Sequence, residues 1–307
     1  MDTRLAPDAR AIGTMLMLCL VWGLQQVVLK ATVQDIAPML QISLRSGGAA
    51  VLVALVMLVR GERWTRGTTR AGLAVGALFA VEFVLVAEGL RHTSASHMVV
   101  FLYTAPIFAA MGLQWQLPTE RMMPIQWLGI VLAFGALAGV FLGRTGPTPG
   151  DTTQGDMLWG DFLGLMAGAA WGATTVLVRC TRLTSAPPTQ TLLYQLVAAF
   201  VVLLAVAWFS DQVYWVPSAR LWASLAFHTV VVSFASFLGW FWLLRRYLAT
   251  RLGVFAFMTP LFGMLLGAWL LNEPLEARFL WPALGVLAGV VLVSAGGAFG
   301  AASVKRP

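Results

Sequence analysis

Charge is scarce in this chain: Asp, Glu, Lys and Arg make up 11% of its 307 residues, well under the roughly 25% of a soluble domain. Together with a mean hydropathy of +0.80 and 59% hydrophobic residues, that excludes a water-soluble globular protein. Cysteine is nearly absent. Cys19 and Cys180 have no CxxC or other ligand spacing, so neither a disulfide framework nor a zinc site is available, and both read as inert apolar residues. Of the three histidines, His92 falls in an outer loop, and His97 and His228 have no His or acidic partner at metal spacing, so no metal and no cofactor is implied. HExxH, GxSxG and Asp-rich metal motifs are missing as well, which argues against an intramembrane enzyme acting on lipid or prenyl substrates. Sizeable loops are also lacking, and that argues against a receptor or scaffold.

What the chain does have is long apolar runs. Stretches of about 20 residues suited to crossing a bilayer fall near 11–30, 38–59, 71–90, 95–116, 124–143, 157–178, 190–209, 219–243, 250–271 and 279–299. The expected fold is therefore an all-α integral membrane protein with ten transmembrane helices. The first run is too long for a signal-peptide core and no small-x-small cleavage site follows Lys30, so it reads as retained. Positive residues mark the cytoplasmic side. With the amino terminus inside, fourteen basic residues lie in the cytoplasm, among them Arg60, Arg63, Arg66, Arg70, Arg179 and Arg245. Only five lie outside (Lys30, Arg91, Arg144, Arg220 and Arg278), and Arg45 sits within a span. Both termini are thus expected in the cytoplasm, and the net charge of +7 follows from topology rather than from nucleic-acid binding.

The chain also repeats itself. VWGLQQVVLK at Val21–Lys30 returns as AWGATTVLVR at Ala170–Arg179, and TAPIFAAMGLQW at Thr104–Trp115 aligns with MTPLFGMLLGAW at Met258–Trp269. Pro106 then matches Pro260, Phe108 matches Phe262, and Gly129 of the fifth span matches Gly285 of the tenth. The Gly-, Pro-, Thr- and Asp-rich stretch Arg144–Asp156 divides five spans from five, giving repeats at 1–147 and 148–307. Because each half holds an odd number of spans, the second is inverted relative to the first. Two inverted five-helix repeats around a central cavity are the expected architecture.

These features resemble the drug/metabolite transporter superfamily, and within it the EamA-type ten-span exporters. The resemblance rests on the Trp-Gly pairs, Arg45 in span 2, the prolines of spans 4 and 9, and LNEP at Leu271–Pro274. The first half departs from it: LPTE at Leu117–Glu120 sets Glu120 one place out of register with Glu273 and lacks the following proline. The abundant aromatics are most similar to those of YddG-type exporters of aromatic and other amino acids. That resemblance implies an inner-membrane carrier exporting amino acids by alternating access.

Ionisable groups within the hydrocarbon require a partner or a wet cavity. Arg45 and Glu82 each fall about eight residues from the outer end of their helices, roughly 12 Å deep at 1.5 Å per residue, so an Arg45–Glu82 ion pair is expected, either as an internal strut or as part of a substrate site. Phe79, Glu82, Phe83 and Val86 share one helical face, a carboxylate between two rings that suits a ligand carrying both an ammonium and a ring. Trp22 and Gln25 form a second stripe, mirrored by Trp171, Thr174 and Thr175, which can serve either as packing glue or as cavity lining. Tyr103, Tyr194, Gln195 and His228 complete the candidate substrate-binding set. The remaining tryptophans, Trp240 among them, fall near span ends or in loops, where aromatic belts form. Pro106 and Pro260 read as paired mid-span kinks, serving either gating or static helix shape.

The partners expected are a small-molecule substrate (an amino acid) and the lipid bilayer, with no nucleic acid and no obligate protein partner. The first alternative is a multidrug or other metabolite exporter. Cation exporters of this superfamily resemble one another in a first-span Glu, where this chain has Gln25 and Gln26, and phosphate-bearing substrates would call for more buried bases than Arg45 alone. An intramembrane lipid-modifying enzyme is the remaining alternative.

Overall fold

The computed structural model describes residues 5–32, 34–89, 91–93, 98, 101–141, 154–271, 281 and 284–293. Its helices are α1 (Ala9–Ala31), α2 (Pro38–Val59), α3 (Thr69–Gly89), α4 (Ala105–Gln116), α5 (Pro124–Phe141), α6 (Gln154–Cys180), α7 (Pro188–Phe209) and α8 (Ala219–Ala226). A π-helical segment, Phe227–Ser236, joins α8 to α9 (Phe237–Arg246), followed by α10 (Ala249–Phe255), α11 (Met258–Leu271) and α12 (Leu284–Val293). Among the described residues the only β pairing is two isolated bridges, Leu5 to Tyr247 and Ile36 to Trp215.

Among the described residues seven helices are long and apolar enough to cross a membrane: Ala9–Leu29, Pro38–Val59, Thr69–Gly89, Asp156–Cys180, Pro188–Phe209, Ala219–Arg246 and Ala249–Leu270. The fourth, fifth and tenth expected spans lie partly outside the described residues and are represented by α4 and by the shorter apolar helices Pro124–Ala136 and Leu284–Val293. Residues 272–274 of LNEP and most of the Arg144 linker fall outside them too.

Local chemistry sets the helix ends. Pro38, Pro124 and Pro188 are each the first residue of their helix, where the missing N–H has no intrahelical acceptor and φ is already helical. Asp8 caps α1 by accepting from the Ala11 amide at 2.8 Å. Helices α2 and α7 end in the same way. Gly61 (φ 60°) and Asp211 (φ 56°) adopt the left-handed conformation, while Glu62 N donates to Met57 O at 2.9 Å and Gln212 N to Ala207 O at 2.8 Å, the Schellman closure that satisfies terminal carbonyls.

The packing carries the repeat into three dimensions. A Cβ added to Gly23 would lie 2.8 Å from Gly263 N and 3.1 Å from Phe262 Cβ, and one added to Gly172 would lie 2.6 Å from Phe108 Cβ and 3.0 Å from Ala109 N. The glycine of each Trp-Gly pair is therefore what lets α1 approach α11 and α6 approach α4, through the residues that the repeat equates. Gly129 and Gly289 similarly bring α5 against α12, where the added Cβ atoms would meet the opposite carbonyl oxygens at 2.7 and 2.4 Å. Helices α2 and α7, equivalent in the repeat, pack side by side: Leu40 clusters with Leu204, Ser43 Oγ donates to Phe200 O at 2.9 Å, and Glu62 beyond the end of α2 accepts from Thr189 near the start of α7. These contacts run antiparallel, as an inverted repeat requires of its equivalent helices.

The connections also cross between halves. At one end the bidentate Arg220–Asp35 pair (2.7 and 3.0 Å) joins the α1–α2 turn to α8. At the other, Gln190 of α7 exchanges hydrogen bonds with Thr65 N and O at 2.9 and 3.2 Å.

The prolines differ from the expectation. Pro106 is the second residue of α4 and Pro260 the third of α11, positions whose amide would be unsatisfied in any helix. The chain breaks just before them, at Tyr103–Thr104 and Ala256–Phe257, so these are two-part spans rather than kinked ones. The two breaks lie together, with the position of a Gly253 Cβ 3.5 Å from Pro106 Cβ.

Candidate functional site

Between the halves lies a cavity of about 180 Å³, somewhat larger than the roughly 150 Å³ apolar void that accepts benzene. Helix α1 contributes Trp22 and Gln25, α2 contributes Arg45, and α3 contributes Phe79, Glu82 and Phe83. Tyr103, at the break before α4, and Trp171, Thr174 and Thr175 of α6 face them, with Gln195 of α7. Leu29, Pro38, Val86 and Ala87 form a partly exposed rim. Val178, Phe241 and Leu244, exposed by only 6, 5 and 1%, form a floor.

Rings make up much of the wall, and they meet edge to face, the arrangement favoured by the aromatic quadrupole. Trp22 lies 6.1 Å from Trp240, Tyr103 5.6 Å from Trp171, and Phe79 4.9 Å from Phe83 and 5.9 Å from Phe237, measured between centroids. The Trp22 indole N–H donates to Ser236 Oγ at 2.9 Å, which fixes its plane.

The charged groups are arranged differently from the expectation. Arg45 and Glu82 both line the cavity, yet no ion pair joins them, whereas ion pairs elsewhere join Arg60 to Glu62, Arg91 and His92 to Glu88, Arg179 to Glu120 and Arg220 to Asp35. Arg45 Nη1 donates instead to Gln25 Oε1 at 2.8 Å, and its guanidinium carbon lies 5.4 Å from the Phe83 ring centroid. Equal depth placed the two side chains at one level but said nothing of their directions around each helix. Glu88, near the end of α3, pairs with Arg91 at 3.0 Å and His92 at 3.3 Å.

Two candidates lie outside the cavity. Tyr194, one residue and so about 100° around the helix from Gln195, packs against Gly72 and Gly76 of α3 and 5.2 Å from the Trp64 ring. His228 is fully buried. Its Nδ1 lies 2.8 Å from Ser224 O and 3.4 Å from Gln41 Nε2, in a polar cluster between α2 and the π-helical segment. His97 falls outside the described residues.

Sequence reasoning missed the wall supplied by Phe237, Trp240 and Phe241. The signal was there, since Phe237, Trp240, Phe241 and Leu244 fall at i, i+3, i+4 and i+7. Trp240 reads as a belt residue only if its span stops at 243. The helix continues to Arg246, which leaves Trp240 about 9 Å from its end at 1.5 Å per residue.

Beneath the floor sits a second polar feature. Glu120 is fully buried and Arg179 is 3% exposed. Arg179 donates through Nε at 3.0 Å and through Nη2 to Glu120 Oε1. Glu120 also accepts from Ala249 N (3.0 Å), Thr250 N (3.1 Å) and Thr250 Oγ1 (2.8 Å), capping α10. Val178, Phe241 and Leu244 line both the main cavity and a small one beside Arg179, so a single layer of side chains separates the main cavity from that end of the bundle.

Residues 9–142 and 158–295 each match the EamA-like transporter family. The chain is 25% identical over 291 residues to YedA, an uncharacterized inner membrane transporter of Escherichia coli strain K12, across 92% of this chain and 90% of that one. It is 22% identical over 281 residues to YoaV, an uncharacterized transporter of Bacillus subtilis strain 168, across 89% and 92%. A solved crystal structure, titled only as that of a protein, has the same fold: TM-score 0.78 at 15% identity, covering 94% of this chain and 98% of that one. The chain belongs to the EamA-like transporter family and is a multi-pass membrane transporter.

Proposed function

We propose that this EamA-like transporter exports amino acids, aromatic and other small amphipathic ones, across the inner membrane by alternating access. In this reading ten spans form two inverted five-helix repeats, 1–147 and 148–307, with both termini in the cytoplasm. The observation that carries the substrate class is Glu82. It lines the same cavity as Phe79 and Phe83, whose rings meet each other edge to face at 4.9 Å, and among the described residues nothing donates a hydrogen bond to it or pairs with it. A carboxylate next to ring faces attracts an ammonium both by charge and through the rings, and the rest of the wall accepts an apolar side chain. The inverted halves and the two-part spans support alternating access.

Counterflow in proteoliposomes, with labelled phenylalanine, a small aliphatic amino acid and a quaternary cation in parallel, tests the proposal. Accumulation of the amino acids, lost in Glu82→Gln at normal membrane expression, is the expected result. Counterflow of the quaternary cation alone would make the protein a multidrug exporter.

A further inference from the structure

Arg45 is 2% exposed, and a guanidinium so deeply placed calls for an anion. Among the described residues it has none within ion-pairing distance. One of its five donors meets the neutral amide oxygen of Gln25, the Phe83 ring covers the group at 5.4 Å, and the buried Nε has no hydrogen-bond partner. Glu82, 8% exposed, faces the same cavity from the neighbouring helix and is likewise without a direct partner. Two opposite charges that line one cavity and do not touch each other complement a ligand bearing both charges.

We propose that Arg45 is the carboxylate anchor of the transport site and Gln25 its resting partner. This rests on the amino-acid reading above and adds to it the residue that selects for a free carboxylate. An incoming carboxylate replaces the Gln25 amide oxygen, offers two oxygens to the planar fork, and exchanges a single bond to a neutral acceptor for a bidentate ion pair. The substrate's ammonium turns to Glu82 and its side chain to the ring wall. An amine with no carboxylate would leave Arg45 on Gln25, and an acid with no ammonium would leave Glu82 unmatched. The protein is accordingly selective for zwitterions.

The test uses full-length protein in proteoliposomes and three probes with one skeleton: L-phenylalanine, phenethylamine and 3-phenylpropionate. Half-maximal competition against labelled L-phenylalanine, together with direct counterflow of labelled phenethylamine, is measured for the parent, Arg45→Gln, Arg45→Lys and Gln25→Ala. In the parent, phenylalanine should outcompete each analogue by roughly tenfold or more, the scale expected for a lost charge-assisted contact. Arg45→Gln should bring phenylalanine down to the level of phenethylamine. Arg45→Lys should keep part of the preference, and Gln25→Ala, which removes the acceptor that the carboxylate must displace, should raise it. Equal competition by phenethylamine in the parent, or an undiminished preference in Arg45→Gln, would overturn the assignment and leave the carrier reading standing. Absence of any phenylalanine counterflow in the parent would defeat the amino-acid reading and this assignment with it.

Discussion

Replacing Glu120 tests the polar layer beneath the cavity floor, and its cost can be worked from the contacts. The carboxylate faces a 3% exposed Arg179 and also accepts both amides at the start of α10. Removing one partner of a buried ion pair costs about 3–5 kcal/mol, while losing a helix cap costs about 1 kcal/mol. Because the same two oxygens serve both roles, the terms overlap, and Glu120→Leu should lose about 3–5 kcal/mol in total. The double variant Glu120→Leu with Arg179→Met removes both charges, so no buried charge is left unpaired; the cap and the long Arg179–Leu244 bond are lost, and the cost should fall to about 1–2 kcal/mol. Reversible unfolding in mixed micelles, read on the parent, both single variants and the double, gives the cycle. A second readout is a cysteine at Thr191, which lines the small cavity and is 2% exposed, in a background lacking Cys19 and Cys180. Water-soluble maleimide should label it faster once Glu120 is replaced, because Arg179 also donates to Leu244 O at 3.5 Å and so ties the floor to α6. A single variant within 1 kcal/mol of the parent, or a double variant less stable than Glu120→Leu, would refute this account.

Gly172→Val should reduce the folded, membrane-inserted yield sharply, because its Cβ would meet Phe108 Cβ at 2.6 Å, whereas Gly13→Val, with nothing within 4 Å, should not; size-exclusion profiles of the two variants decide it. Trp240→Ala should weaken phenylalanine counterflow several-fold by opening the wall beside Trp22, while Tyr194→Phe, outside the cavity, should leave it within about twofold of the parent; the reverse ranking would mean that the binding wall lies elsewhere. Pro260→Ala should change turnover by less than about twofold, since a proline in the first turn of a helix removes no intrahelical bond; a much slower exchange rate would restore the proline itself as the hinge.

The architecture was legible because its determinants are periodic or repeated. Apolar runs mark spans whatever their neighbours do, and the Trp-Gly and Phe-containing segments that match in sequence touch in the fold: Gly23 against Phe262, Gly172 against Phe108. A glycine conserved between the two halves of one chain thus reports a helix crossing. Of the candidate residues, those chosen from helical stripes, Trp22 with Gln25 and Phe79 with Glu82 and Phe83, do line one cavity. A stripe at i, i+3, i+4 carries angular information, and so it says which side chains share a face.

Residues chosen by depth or by adjacency alone fared differently, for a geometric reason. Arg45 and Glu82 sit at matching depth, but depth leaves the rotation of each helix free, and Arg45 turns to Gln25 on α1 instead. Tyr194 adjoins Gln195 in sequence, yet one residue is about 100° of turn, enough to move its ring from the cavity to Gly72 of α3. The Glu120–Arg179 pair was hidden by the same blindness on a larger scale. Both residues look like ordinary charges near span ends, and only the return of the chain at Ala249 and Thr250 closes water out around them. Burial of a terminal charge is a property of three elements meeting, and no window along one of them contains it.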